Sequence, residues 1–596
     1  MGEFVGINPH GARILIAAMR ETAQRAATLR PYLSASITEA GTDWPAGPGA
    51  EVLDRCRQFL LTAQHDLTWR VQTIERTENA TARRGVKGAE FAFPSAESAH
   101  AAGAVAGDAV KAAWTAYQSD PSSMNWRRLQ SVLGERQGKT SDVAYAAGLL
   151  TQMGAATFAE ILRVERQKYQ NSRSGYSPAD LARVRNDLGP LADAFASADS
   201  TGKLPADLRA RLLDHSPMDD LAALLALTPQ SRRFVVDAGT KLAESSGHKT
   251  PDPDWNTHWL AKALSQDLGA AQEFLATGDN VQLLLRPEVV KSTGTPGFEK
   301  LLADVLDKAL APNAGDDNLR RAAWINTIKL FSNHSAWPSL APSISETTGL
   351  PVPSPVGQVL ARHIHQYFPE LAGIWTTANL DERLATPNDT WRAIKSNEIV
   401  AFFGSILRDP AALSVLKEDY RTFIDNLDLG KDHPFGNATT EAARQLQRNA
   451  FYAKSSQAAG MASLLIGGLH EADLSAEEAR DVQIQLMFFP VDMAVGAFSG
   501  GVGGGLIAET AIGKAADFIV KNPGQDIFSQ LWDGAPPEEA SDLTNTLLGS
   551  QIDALTASRR QHGLPPLSDG DMLYLENTFR GLLLPVVLDA FKKRGG

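Results

Sequence analysis

Few residues in this 596-residue chain are spaced for chemistry. His363 and His365 flank Ile364 in a run with helical periodicity. Two positions apart on a helix, they point to different faces, so they cannot share a metal, and both are expected as surface or interface histidines. The acidic pairs Asp219-Asp220, Asp316-Asp317 and Glu538-Glu539 fall in loops or first helical turns. There, carboxylates complement the positive end of a helix dipole and need no catalytic role. Cys56 is the single cysteine. That excludes an intrachain disulfide and a cysteine-based zinc site. Its apolar neighbourhood predicts a small buried thiol. No HExxH, Walker A loop or GxSxG elbow is present. Gly503 to Ala508 fits GxGxxA, but no strand precedes it, so it lacks the context of a dinucleotide loop. The tryptophans, Trp69, Trp114, Trp126, Trp324 and Trp391 among them, are scattered and name no stacking platform or cation cage. No catalytic residue, metal ligand or cofactor follows from these patterns. A non-enzymatic protein is expected, although a site built by the fold alone would leave no motif.

The elements around these residues read as helices. Hydrophobic residues make up 43% of the chain, enough for real cores, and charged residues 21%. The net charge of −12 argues against a general nucleic-acid binder. Helix starts recur as a cap acceptor followed by proline: Ser177-Pro178, Ser216-Pro217, Thr228-Pro229, Thr386-Pro387 and Asp409-Pro410. Amphipathic runs lie between them, as at Asp219–Leu227, Phe298–Leu310 and Val356–Phe368. Breaker-rich loops fall at 244–254, 292–297, 311–317, 347–355 and 430–437. Only 89–93 and 281–285 are short strand candidates, and the second reads better as helix. No fixed repeat is found, so a regular solenoid is not supported. The expected fold class is all-α: an N-terminal antiparallel helical hairpin, a large irregular multi-helix array, and a C-terminal helical block. The expected domains are 1–85, 100–430 and 438–596. The last opens with a long helix from Thr440 to His470, and a capping box at Ser475 then starts another.

The hairpin has the clearest pattern. Asn8-Pro9 caps a first segment reaching about Glu39, with an apolar stripe of Leu15, Met19, Thr22, Ala26, Leu29, Leu33 and Ser36/Ile37. Pro31 is expected to kink this helix near Thr28 or to end it early. A second segment, about Ala50 to Ala82, places Val52, Cys56, Phe59/Leu60, Ala63, Leu67, Val71 and Ile74 on one side. Between them lies a turn of Thr42-Asp43-Trp44-Pro45-Ala46-Gly47-Pro48-Gly49.

A helix, a bend holding Trp44 and Gly47, and a second helix resemble the WXG-motif family of type VII secretion substrates. The resemblance covers residues 4–85. Pro45 and Ala46 separate Trp44 from Gly47, where the family has one residue. The family's Tyr-x-x-x-Asp/Glu signal follows the second helix; here the pattern comes later, at Tyr176 to Asp180, where Ser177-Pro178 also reads as a helix start. The resemblance, together with a composition that fits a GC-rich genome, implies a large actinobacterial helical protein of a type VII secretion system. It further implies that Leu15, Met19, Leu29, Leu33, Trp44 and Gly47 meet a small helical WXG-type partner or the secretion machinery.

The alternative is a toxin-like effector. Residues 493–508 form a stretch of sixteen without charge, six of them glycine, with Gly496, Gly500 and Gly504 four apart. Such spacing permits close helix approach and is favoured in membrane helices. Sixteen residues fall short of the ~20 that span a bilayer. A tightly packed helix or a flexible Gly-rich loop within the C-terminal block is therefore expected first, with membrane contact through 493–520 as the alternative. The first ten residues carry no basic segment followed by an apolar core. A cytoplasmic protein is expected, or one secreted without a cleavable signal peptide.

Overall fold

A computed structural model describes residues 3–40, 46–76, 81–83, 86–169, 178–245, 253–290, 297–344, 351–379, 393–427 and 440–472, with Trp391 and three positions further on. Among these residues the fold is all-α, with 21 α-helices and two small sheets. The chain divides into two compact units, Met1–Ala270 and Ala271–Gly596.

The first unit opens with β1 (Glu3–Ile7), a strand outside the two short candidates expected from the sequence. It is followed by α1 (Pro9–Glu39) and α2 (Ala46–Arg76), the expected hairpin. At 31 residues each, the arms are about 46 Å long at 1.5 Å per residue. Asn8 caps α1 through its side-chain oxygen, which accepts from the backbone N–H groups of His10 and Gly11 at 3.1 and 3.2 Å. Pro31 does not end α1: the helix runs on to Glu39, with the missing proline N–H leaving the Ala27 carbonyl without its helical donor. After α2 come β2 (Thr81–Arg83) and β3 (Val86–Phe91). β3 is the central strand of an antiparallel sheet ordered β1-β3-β2, with Val5 opposite Ala89. Strand alternation buries Ala89 and Phe91 and exposes Glu90. The stretch 86–100, expected as a domain boundary, thus holds a central strand and lies inside the first unit.

The layer beneath the hairpin base starts with α3 (Ala96–Ser119), α4 (Ser123–Gly134), α5 (Val143–Met153) and α6 (Ala155–Tyr169). α3 and α5 touch backbone to backbone. A Cβ at Gly103 would lie 2.1 Å from the Tyr145 carbonyl oxygen, and one at Gly148 2.1 Å from that of His100. Then follow α7 (Pro178–Ser200), α8 (Ala206–His215), α9 (Met218–Leu227), α10 (Arg232–Ser245) and α11 (Pro253–Gln266). The prolines at 178 and 217 mark helix starts as expected. The Thr228-Pro229 pair does not, because α10 begins three residues later, where the Ser231 hydroxyl accepts from the Phe234 N–H at 3.1 Å.

The division between the units falls in α12 (Leu268–Ala276). The second unit continues with α13 (Asn280–Leu285), α14 (Pro287–Val290), α15 (Phe298–Leu310), α16 (Asp317–Phe331), α17 (Pro355–Ile364), α18 (Phe368–Asn379), α19 (Ser396–Leu407), α20 (Pro410–Leu427) and α21 (Glu441–Glu471). A two-stranded pair, β4 (Ser343–Ile344) and β5 (Pro351–Val352), precedes α17. The core of this unit is aromatic: Trp324 meets Tyr367 and Phe402 edge-on, and Trp391 lies 4.9 Å from Tyr367. Residues 281–285 are helical, and the long helix expected from Thr440 is α21, with Thr440 as its cap. Thr386-Pro387, Ser475, Glu538-Glu539 and the glycines at 496, 500 and 504 lie outside the described residues.

Candidate functional site

The hairpin's apolar residues form two rows on each arm. On α1 the inner row is Ala12, Ile16, Met19, Ala23, Ala26, Leu33 and Ile37, of which Ala12, Ala23 and Ile37 are buried and the rest half-buried. Its spacing of four and three faces α2. The outer row, Leu15, Thr22, Leu29 and Ser36, recurs every seven residues and is exposed, with Tyr32 beside it. Of the residues expected to form the seam, Met19 and Leu33 therefore pack inside the hairpin, and Leu15 and Leu29 stand on its outside. Gly47 falls in the first turn of α2, and Trp44 lies outside the described residues.

On α2 the inner row runs through Leu53, Leu60 and Leu67 to Val71 and Ile74. The outer row is Val52, Cys56 and Phe59. The stripe expected from sequence starts on the outer row and crosses to the inner one at Phe59/Leu60. Cys56 is consequently exposed, not buried: it lies four residues after Val52 and three before Phe59, on the exposed row beside Leu53 and Leu60. Of the thirteen large hydrophobic side chains that are exposed among the described residues, eight lie between Phe4 and Leu61. Phe59 is 71% exposed, Tyr32 69% and Leu29 56%. Ion pairs brace the arms without covering this face: Arg30 with Asp54 at 3.0 Å, and Arg13 with Glu75 at 2.6 Å.

The base of the hairpin is different. Trp69 is fully buried, its indole N–H donates to the Asp142 carboxylate at 2.9 Å, and its ring meets Phe91 edge-on at 5.0 Å. Asp142 in turn caps α5 by accepting from the Ala144 and Tyr145 N–H groups, while burial pushes its carboxyl above the ordinary range. Beside Trp69, the inner faces of α1 and α2 and the ends of α7 and α10 enclose a cleft of about 560 Å³.

Two charged clusters lie in the helical layer of the same unit. Asp220, expected to serve only the first turn of α9, is fully buried and receives Arg166 Nε at 2.5 Å and Arg163 Nε at 3.5 Å. Glu165 is also fully buried, and burial followed by the neighbouring Asp187 carboxylate pushes its carboxyl up to about 8. Asp187 accepts from the Gln130 amide at 2.6 Å. Lys168 lies 3.0 Å from the centre of the Trp126 ring and 4.9 Å from that of Tyr117. One tryptophan, Trp126, thus meets a cation together with Tyr117, and that cation is the chain's own exposed Lys168.

In the second unit His363 and His365 separate as expected, to Asp307 (2.8 Å) and Asp419 (3.5 Å). His363 is nonetheless buried, because its turn of α17 faces α15. Among the described residues no group of three His, Cys, Asp or Glu side chains could hold a metal ion, and no helix is long and apolar enough to cross a membrane. The chain matches no family model, no curated protein and no solved structure.

Proposed function

We propose that this chain is a non-enzymatic partner-binding protein whose N-terminal hairpin docks a small helical protein on its outer stripe. The observation that carries this reading is the concentration of exposed apolar side chains on Leu15, Leu29, Tyr32, Val52 and Phe59. Large contiguous apolar patches on soluble proteins mark interaction sites, and a striped helix pair is completed by another helix or helix pair. The exposed row keeps a seven-residue spacing on α1, so the partner is helical and runs along the arms. The resemblance of residues 4–85 to the WXG-motif family supports a partner of that kind and a type VII secretion setting.

The test is co-expression of the full chain with a small WXG-family protein encoded beside it, followed by mass measurement of the purified species. The reading expects a stable complex for the wild-type chain and a free chain for the double variant Leu29→Lys, Phe59→Lys. A chain that stays alone in both cases, or a complex indifferent to both substitutions, overturns it.

A further inference from the structure

The two outer rows of the hairpin share one side of it. On both arms an outer residue directly precedes an inner one: Thr22 stands before Ala23 on α1, and Val52 and Phe59 before Leu53 and Leu60 on α2. Both rows are therefore turned off the seam in the same rotational sense. The pairs Arg13–Glu75 and Arg30–Asp54 fix the arms as antiparallel. In an antiparallel pair the same sense of turn brings both rows to one side, with the seam between them.

An arginine stands on the outer margin of each row. Arg25 follows Thr22 by three residues and precedes Leu29 by four, and Arg55 has the same place between Val52 and Phe59. At about 100° per residue, each arginine sits roughly 40–60° further from the seam than its row. Both are exposed. Arg55 has no carboxylate partner among the described residues. Arg25 pairs with Glu21 of its own helix, with both side chains mostly in solvent, and such a pair exchanges readily for an interhelical one. α1 and α2 together carry eight arginines, six acidic residues and no lysine. The chain as a whole is at −12, so this basic character is local to the arms. A third helix laid along the seam meets Arg25 with one flank and Arg55 with the other, as e and g positions meet in a helical bundle. Guanidinium forks match carboxylates there, and charges at such margins set partner choice.

We infer, on the docking reading above, that the stripe selects an acidic amphipathic helix, with carboxylates on both flanks of its apolar seam meeting Arg25 and Arg55. Two synthetic 21-residue helical peptides test this. They share one leucine stripe and carry either glutamate or lysine along both of its flanks. Each is labelled, held at nanomolar concentration and titrated with the full chain by fluorescence anisotropy. The glutamate peptide is expected to bind at least tenfold tighter at 50 mM salt, and the gap should shrink to less than threefold at 500 mM. Attraction to the chain's overall charge would favour the lysine peptide instead, so the expected order can come only from the local arginines. Arg25→Glu with Arg55→Glu should reverse the order while melting with the wild type, because both positions are exposed. The inference is overturned if the two peptides bind equally, if the lysine peptide binds more tightly, or if the folded double variant keeps the wild-type order. Equal binding that Leu29→Lys with Phe59→Lys abolishes would overturn the charge selection and leave the docking stripe standing. Binding of both peptides that survives those lysines would overturn the stripe as well.

Discussion

Within α2, Val52, Phe59 and Leu61 are exposed, while about three turns further on Trp69, Val71 and Ile74 are buried. The two stretches are equally apolar and belong to one continuous helix. What separates them is the number of layers around them. Among the described residues the outer stretch packs on α1, and a two-helix hairpin can cover one face of each arm. The inner stretch is also covered by β3 and α5, with Asp142 taking the Trp69 indole proton. Exposure on this hairpin is therefore a property of the missing third layer and not of the residues, which is why the outer stripe reads as a docking face.

Breaking the buried end should have the largest effect. Trp69→Ala removes a fully buried ring and leaves Asp142 without its indole donor, and should cost about 3–5 kcal/mol in a urea titration. Next comes the layer behind the hairpin base, tested by pH. Glu165 holds its proton up to about 8 when folded, against an ordinary value of 4.5. Between those values the unfolded chain binds fewer protons than the native one, so this group's contribution makes stability fall as pH rises from about 4.5 to 8 and then level off. The fall should be on the order of a few kcal/mol, and Glu165→Gln should flatten it in melting curves across that range. The α3–α5 contact sharpens the contrast further. Gly103→Ala puts a Cβ 2.1 Å from a backbone oxygen and should cost about 1–3 kcal/mol. Leu29→Lys and Phe59→Lys, at the exposed end, should each change stability by no more than about 0.5 kcal/mol while abolishing partner binding. A large loss of stability there would mean that the stripe is already covered.

Much of the fold was legible because its signals are local. Asn8-Pro9, Pro178, Asp409-Pro410 and Thr440 mark helix starts through chemistry carried by one or two neighbouring residues. Facing was not legible. Leu15 and Met19 fit one stripe equally well, since 3.6 residues per turn lets two adjacent rows share a heptad pattern. Only the position of α2 assigns Met19 to the seam and Leu15 to the outside. Cys56 was misread for the same reason. The cleft was out of reach altogether: Thr68, Ser200 and Gln230 meet only through the packing of α2, α7 and the start of α10. β1 was missed because five residues before a strong helix cap show little alternation, and its partner β3 comes eighty residues later in the chain.

Cys56 offers a probe on the outer row, because it is exposed and is the chain's single cysteine. The measurement is its alkylation rate in the native full chain, alone and in complex with the small helical partner proposed above. Docking on the stripe predicts rapid labelling of the free chain and at least a tenfold slower rate in the complex. An unchanged rate in a complex of verified mass would place the contact elsewhere and contradict the assignment of this face.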